Sequence, residues 1–350
     1  MSKQLLMVGS MPLDSAAEVL EYFGRPLGKY LSTIPDGETG ARRYWISRVH
    51  YQVFALHPDL EVVQRPRRDD GVERLAPHDD KDGWAFHVKP GVERVIFGEP
   101  GWRLGYAESA LNSYFAFSAL KQRGVLPQHL RFQVSLPMVN STCALRTFPK
   151  AGDLEKVRPG YTEALRAEVA TITSKIPANE LAIQWDLARE ITEVNGGMPG
   201  VPAEGAIERN LAQVRALSPH IPSEVELGYH FCFGTIGGWP RFSPRDLGPS
   251  VDLANAVIEA SGRHVDWVHI PVLDKVDDAF CAPLARLKPQ SARVYLGVIH
   301  NMERFKERVA IARKFLPDFG AAAYCGLGRT PARDVPHVLQ EHLQAGELIN

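Results

Sequence analysis

Short apolar, β-prone runs alternate with longer amphipathic stretches through most of this chain, and no other feature narrows its fold as much. The runs lie at residues 5–9, 30–34, 131–136, 181–186, 226–232, 267–272, 294–300 and 321–326. Helix-period segments fall at 15–23, 41–56, 160–174, 206–217, 253–261, 302–316 and 335–345. Several runs are nearly continuous in apolar residues, as strands are when both faces are covered. Eight such strands in 350 residues predict a single (β/α)8 TIM barrel, an α/β fold occupying residues 1–350 as one domain. A doubly wound open sheet is the runner-up, weakened because no G-x-G-x-x-G turn follows the first run.

One insertion interrupts the rhythm after the second βα unit, at residues 58–102. It carries Arg65-Pro66-Arg67-Arg68-Asp69-Asp70 and His78-Asp79-Asp80-Lys81-Asp82 among several Gly and Pro. A solvated excursion between barrel elements is the plainer reading of so much charge; a lid over the barrel mouth is the sharper one.

Composition excludes several classes. With 40 basic and 41 acidic side chains, the chain gives no electrostatic reason to bind nucleic acid. The apolar run that starts at Leu5 is too short for a signal sequence, and no stretch approaches a membrane span, so a soluble cytoplasmic protein is expected. Four scattered cysteines are too few for a disulfide scaffold. In a reducing compartment a special cysteine is a ligand or nucleophile rather than half a bridge. Cys143, in a connection, and Cys281, in a helical pattern, read as packing residues.

In a barrel, chemistry sits where strands end at the C-terminal face. Those ends read Ser10-Met11-Pro12, Asp36-Gly37-Glu38, Leu136-Pro137, Asp186, His230-Phe231-Cys232, His269-Ile270-Pro271, His300-Asn301 and Cys325-Gly326. Residues two apart on a strand point the same way, so His230 and Cys232 can reach one ion. Imidazole and thiolate are both good zinc donors, and barrel closure can bring Cys325 across the mouth to them. An ordinary buried His and Cys in a core strand is the competing reading of that pair. Asp186 can accept hydrogen bonds from a substrate ammonium or cap the helix that follows. Glu38 and Asp36 each fit a helix start, where the dipole favours carboxylates. His300 suits either a proton carrier or a satisfied core histidine.

These motifs, in this order, resemble the catalytic barrel of cobalamin-independent methionine synthase and its zinc-thiol alkyltransferase relatives. Val8-Gly9-Ser10-Met11-Pro12 is similar to the family's I-G-S-F-P, whose Ser region contacts the amino-acid substrate. Gly37-Glu38, followed by Arg43 and Tyr44-Trp45, resembles the G-E-x-x-R segment, whose Glu holds the substrate amine. Ile183-Gln184-Trp185-Asp186 resembles I-Q-x-D, whose Asp binds the same amine. His230-Phe231-Cys232 matches the H-x-C zinc pair, and Cys325-Gly326-Leu327 matches the C-G-L that supplies the last thiolate. Two departures stand out. The family's Glu zinc ligand at the end of strand six falls on Pro271, with His269, of the same strand parity, as its candidate substitute. The family's His after strand seven falls near His300 without its D-x-H surroundings. The folate-binding N-terminal barrel of the full-length synthase has no counterpart in this sequence.

The resemblance implies a zinc-dependent methyl or other one-carbon transferase, similar to 5-methyltetrahydropteroyltriglutamate–homocysteine methyltransferase. Its Zn2+ would be held by His230, Cys232, Cys325 and His269. Ser10, Glu38 and Asp186 would bind substrate, and His300 would move a proton. The implied partners are a small thiol or amino acid and an alkyl donor, with no nucleic acid or membrane; a homo-oligomer is compatible. A zinc-dependent hydrolase or lyase on the same barrel is the alternative, motivated by the altered sixth strand. A non-catalytic carrier ranks last, since it has no need for soft and acidic groups at one mouth.

Overall fold

The computed structural model describes residues 4–349 except 70, 71, 74, 78, 80, 99 and 100. Of the charged clusters in the excursion, Asp70, His78 and Asp80 therefore lie outside the described residues. Eight parallel strands form one nearly closed sheet: β1 (Leu5–Leu6), β2 (Thr33–Pro35), β3 (Arg131–Pro137), β4 (Leu181–Leu187), β5 (Glu226–Phe231), β6 (Trp267–Pro271), β7 (Arg293–Ile299) and β8 (Gly320–Ala323). Their order around the sheet is β1-β8-β7-β6-β5-β4-β3-β2, so chain order is also spatial order, as a TIM barrel requires. No ladder joins β1 to β2 among the described residues; single bonds do instead. The amides of Gln4 and Leu5 donate to the Tyr30 carbonyl, and the Met11 amide donates to the Gly37 carbonyl at 2.7 Å.

The barrel interior is layered. At its base Leu6, Val8, Ala182, Trp267, Tyr295 and Ala322 pack as a separate apolar plug. Gly228 makes room for it, because a Cβ there would lie 1.8 Å from the Trp267 ring. Above the plug sits a wholly buried polar layer. Thr33 Oγ1 donates to Gln133 Oε1 at 2.7 Å, and Gln133 Nε2 donates to the carbonyls of Met7 and Val8. Gln184 Nε2 donates to the Val8 carbonyl at 2.7 Å and to Asp186 Oδ1 at 2.8 Å. Unpartnered amides would be costly at this depth, so the layer fixes both glutamines and, through Gln184, the carboxylate above it.

Helices cover the outside, among them Tyr106–Gln122, Asp153–Lys175, Ala206–Leu217, Gly248–Ala260 and Val335–Leu348. None of the helices among the described residues is long and apolar enough to cross a membrane. The excursion is part core and part hairpin. Strand Leu60–Gln64 pairs antiparallel with Ala85–Val88, and Trp84, Phe86, Val95 and Phe97 are buried with Phe54, Phe148 and Tyr161. It also reaches the barrel rim: the Asp79 carbonyl accepts a long bond, 3.5 Å, from Arg146 Nη2.

Candidate metal centre

The loops at the C-terminal ends of the strands enclose a cavity of about 100 Å³. Ser10, Glu38, Asp186, His230, Cys232 and Cys325 all line it. Three of them converge. The donor atoms of His230, Cys232 and Cys325 lie within 4.8 Å of one another, with the first two residues buried and the third half-buried. Sulfurs on one tetrahedral zinc stand roughly 3.8 Å apart given Zn–S bonds of ~2.3 Å, so a small inward adjustment closes this set on an ion. The donors are soft and mostly buried, and three protein donors would leave a fourth position open. The residues fit zinc.

Local structure prepares each donor. Gly234 takes a left-handed φ of 79° at the turn after β5, and its amide donates to Cys232 Sγ at 3.3 Å. Cys325 opens the turn after β8, where Gly326 and Gly328 pack against Ser10. Cβ atoms at these glycines would approach Ser10 Oγ to 2.5 Å and 2.9 Å. The Leu327 amide donates to the Ser10 carbonyl at 2.6 Å, and the Gly328 amide to Ser10 Oγ. Ser10 thus ties the first strand's end to the last while facing the cavity. The Cys325 thiol is held well above its ordinary range by its hydrogen bond with Cys232 and by burial, while Arg329 pulls the other way.

His269 stands outside the convergent group, because both its ring nitrogens are engaged. Nε2 lies 3.0 Å from the Ala323 carbonyl and Nδ1 lies 2.7 Å from His230 Nδ1. A carbonyl only accepts, so the His269 proton sits on Nε2 and its Nδ1 accepts from His230 Nδ1–H. Burial holds the His269 pKa down at about 3, and burial followed by His269 holds His230 well below its usual value, so both rings are neutral. That tautomer chain leaves the Nε2 lone pair of His230 for a metal. The geometry therefore corrects the ligand reading of His269: it stands outside the convergent group and holds the ring of His230 in place. Replacing it with Phe, close in shape but without nitrogens, is expected to weaken metal binding about 10- to 100-fold with the fold retained. Competition with a chromophoric chelator measures this, and unchanged affinity would remove the orienting role.

The two acids form the other end of the cavity. Glu38 sits in a turn with φ 47°, its amide donating to Asp36 Oδ1, and Asp36 in turn pairs with Arg42 at 2.5 Å. Burial is the main force lifting the Glu38 pKa, to about 8, with Arg42 opposing and Asp36 adding to the rise. Asp186 is raised well above the carboxylate range by burial and then by Glu38. Two buried carboxyls side by side cannot both ionise cheaply, and a ligand cation between them reverses that cost. Asp186 sits at a strand end with a side chain fixed by Gln184, which suits a ligand-facing group better than a helix cap.

His300 does not line the cavity. Its Nε2 lies 2.9 Å from the Val272 carbonyl, and its ring packs edge-on against Tyr324. Burial and Arg308 push its pKa down to about 4. Cys143 and Cys281 are fully buried, and burial lifts the Cys281 thiol to about 12. Sequence reasoning named Arg43 only as part of the motif after Glu38 and missed the other arginines of the cavity wall, Arg146, Arg189, Arg241 and Arg329. They come from separate loops and share no spacing that would have flagged them.

No protein-family description matches the sequence, and no characterised protein matches it significantly by sequence. Solved structures do match in fold. A B12-independent methionine synthase from Shewanella sp. W3-18-1, in complex with selenomethionine, superposes with a TM-score of 0.58 at 14% identity, covering 95% of this chain and 86% of that one. A protein assigned as a vitamin-B12-independent methionine synthase from Listeria monocytogenes gives a TM-score of 0.52 at 15% identity, over 96% and 87% of the two chains. At such identity the likeness establishes the shared barrel.

Proposed function

We propose that this protein is a zinc-dependent methyl or alkyl transferase whose acceptor is a thiol carrying an ammonium group, such as homocysteine. The observation that carries the reading is one cavity holding both the convergent His230, Cys232 and Cys325 and the paired acids Glu38 and Asp186. The structural likeness to methionine synthases supports it. Zinc held by the three ligands would lower the pKa of a substrate thiol and make it nucleophilic near neutral pH.

The remaining work falls to the chain. Glu38 and Asp186 ionise as the substrate ammonium arrives, releasing their protons to solvent, and they fix its position relative to the sulfur. Gln184 holds the Asp186 carboxylate, and the Ser10 hydroxyl is free to donate to substrate. The buried wall keeps water from competing with the thiol. In the transfer, sulfur supplies the electron pair of the new C–S bond. The donor's leaving atom keeps the pair of the broken bond, and the thiol proton passes to donor or solvent.

His300, expected to move a proton in the transfer, does not line the cavity, so that role is withdrawn. The hydrolase or lyase alternative is not favoured, because the structural neighbours are methionine synthases. Zinc-loaded protein is expected to methylate homocysteine from 5-methyltetrahydropteroyltriglutamate or from methylcobalamin. Mass-spectrometric detection of methionine tests this. Absence of thiol-dependent transfer from either donor, with zinc bound and homocysteine binding demonstrated, would sink the methyl-transfer reading.

A further inference from the structure

Two guanidinium groups share one tyrosine ring at the cavity mouth. Arg43 lies 5.8 Å and Arg329 6.0 Å from the centre of the Tyr44 ring, and all three residues line the cavity. Neither arginine meets a carboxylate among the described residues. Arg43 donates to the Gly328 carbonyl at 2.5 Å and, at 3.4 Å, to that of Thr330; Arg329 donates to Thr235 Oγ1 at 2.9 Å. Those acceptors are neutral, so they hold the two forks in place without cancelling their charge. In a chain with a net charge of −1, this pair is a local concentration of positive charge in the cavity that Glu38 and Asp186 also line.

Like charges are placed together without counter-charge where a ligand supplies it, and Arg is the side chain whose planar fork fits an oxyanion. The structure assigns to Arg43 and Arg329 an oxyanion subsite of the cavity, recognising an acidic group carried by a reactant. The cavity is therefore bipolar, taking a cation at one end and an anion at the other. A zwitterionic amino-acid thiol would satisfy both ends by itself. Alternatively the amino group comes from the thiol and the acidic group from the alkyl donor. The subsite stands independently of the thiol-transfer reading; only its assignment to a reactant rests on that reading.

Calorimetric titration of the zinc-loaded protein with sulfate and with acetate tests the subsite. Single-site binding is expected, weakened about tenfold by Arg43→Gln or Arg329→Gln and more in the double variant. Arg43→Lys, which keeps the charge and loses the fork, should fall between, with circular dichroism confirming that each variant is folded. Sulfate affinity that is the same in wild type and the folded double variant overturns the proposal. Repeating the titration with saturating homocysteine identifies the bearer, and either result supports the subsite. Displacement of sulfate means that the amino acid's own carboxylate occupies it, and retained binding means that the second reactant does. Sulfate binding that depends on both arginines in a protein that takes up no homocysteine would refute the thiol reading and leave the subsite intact.

Discussion

Cys232→Ser is expected to cost the protein its metal. Wild-type protein dialysed against zinc should retain about one ion per chain, while the serine variant should lose more than about 100-fold in affinity, because a hydroxyl does not ionise as a thiolate does. Cys325→Ser should behave the same way, since its sulfur converges with Cys232 and His230. Cys143→Ser is the control: that thiol is fully buried away from the cavity, so its loss should leave metal stoichiometry unchanged. Metal analysis by plasma emission, paired with chelator competition, reads all three. One retained zinc per chain in Cys232→Ser would place the metal elsewhere and undo the central assignment.

The second large effect belongs to the acids. Glu38→Gln or Asp186→Asn should weaken binding of an ammonium-bearing thiol by about 100-fold or more, the cost of leaving a buried charge without its partner. The pH dependence gives a sharper signature. The Glu38 pKa is raised to about 8 in the folded protein, so below that pH the acid holds a proton that an arriving ammonium must displace. Amine affinity should therefore climb as pH rises toward 8 in the wild type and lose much of that climb in Glu38→Gln. Stability moves the other way. A raised acid pKa stabilises the fold below the unfolded value of ordinary glutamate and loses that contribution as pH rises through about 8. Glu38→Gln should melt at a higher temperature than wild type above pH 8 while binding amine poorly. Equal melting temperatures across pH 5–9 would contradict the burial of an ionisable Glu38.

All eight strands were legible as apolar runs bounded by Gly and Pro, and closure followed from their number. Their ends were less so. The first strand was expected over 5–9 and its ladder covers only Leu5–Leu6, because the Met7 and Val8 carbonyls are taken by glutamine side chains from β3 and β4. Nothing in the local pattern announces a carbonyl claimed by a residue more than a hundred positions away. The helix Tyr106–Gln122 escaped notice because it has no clean apolar stripe: Phe115 is 79% exposed, while Lys121 is buried on Glu180 and the Leu130 carbonyl. Strand-end position and motif order singled out His230, Cys232, Cys325, Glu38 and Asp186, which the structure brings to one cavity. His269 and His300 were placed on the right strands, but their roles depend on which carbonyl each ring meets. That is settled by neighbouring strands, not by their own sequence.

The seam at Ser10 has a consequence for folding. The bond from the Gly328 amide to Ser10 Oγ joins residues 318 positions apart, and it sits beside Cys325. Contacts of such separation carry the greatest loop-closure entropy and form late. A chain that has built β2 through β7 would have His230 and Cys232 in place but no third sulfur and no serine seam. Metal capture would then be the clasp that locks the final strand against the first. An ion bound by all three residues would report a finished barrel, and the site would be complete only once the last strand had closed against the first.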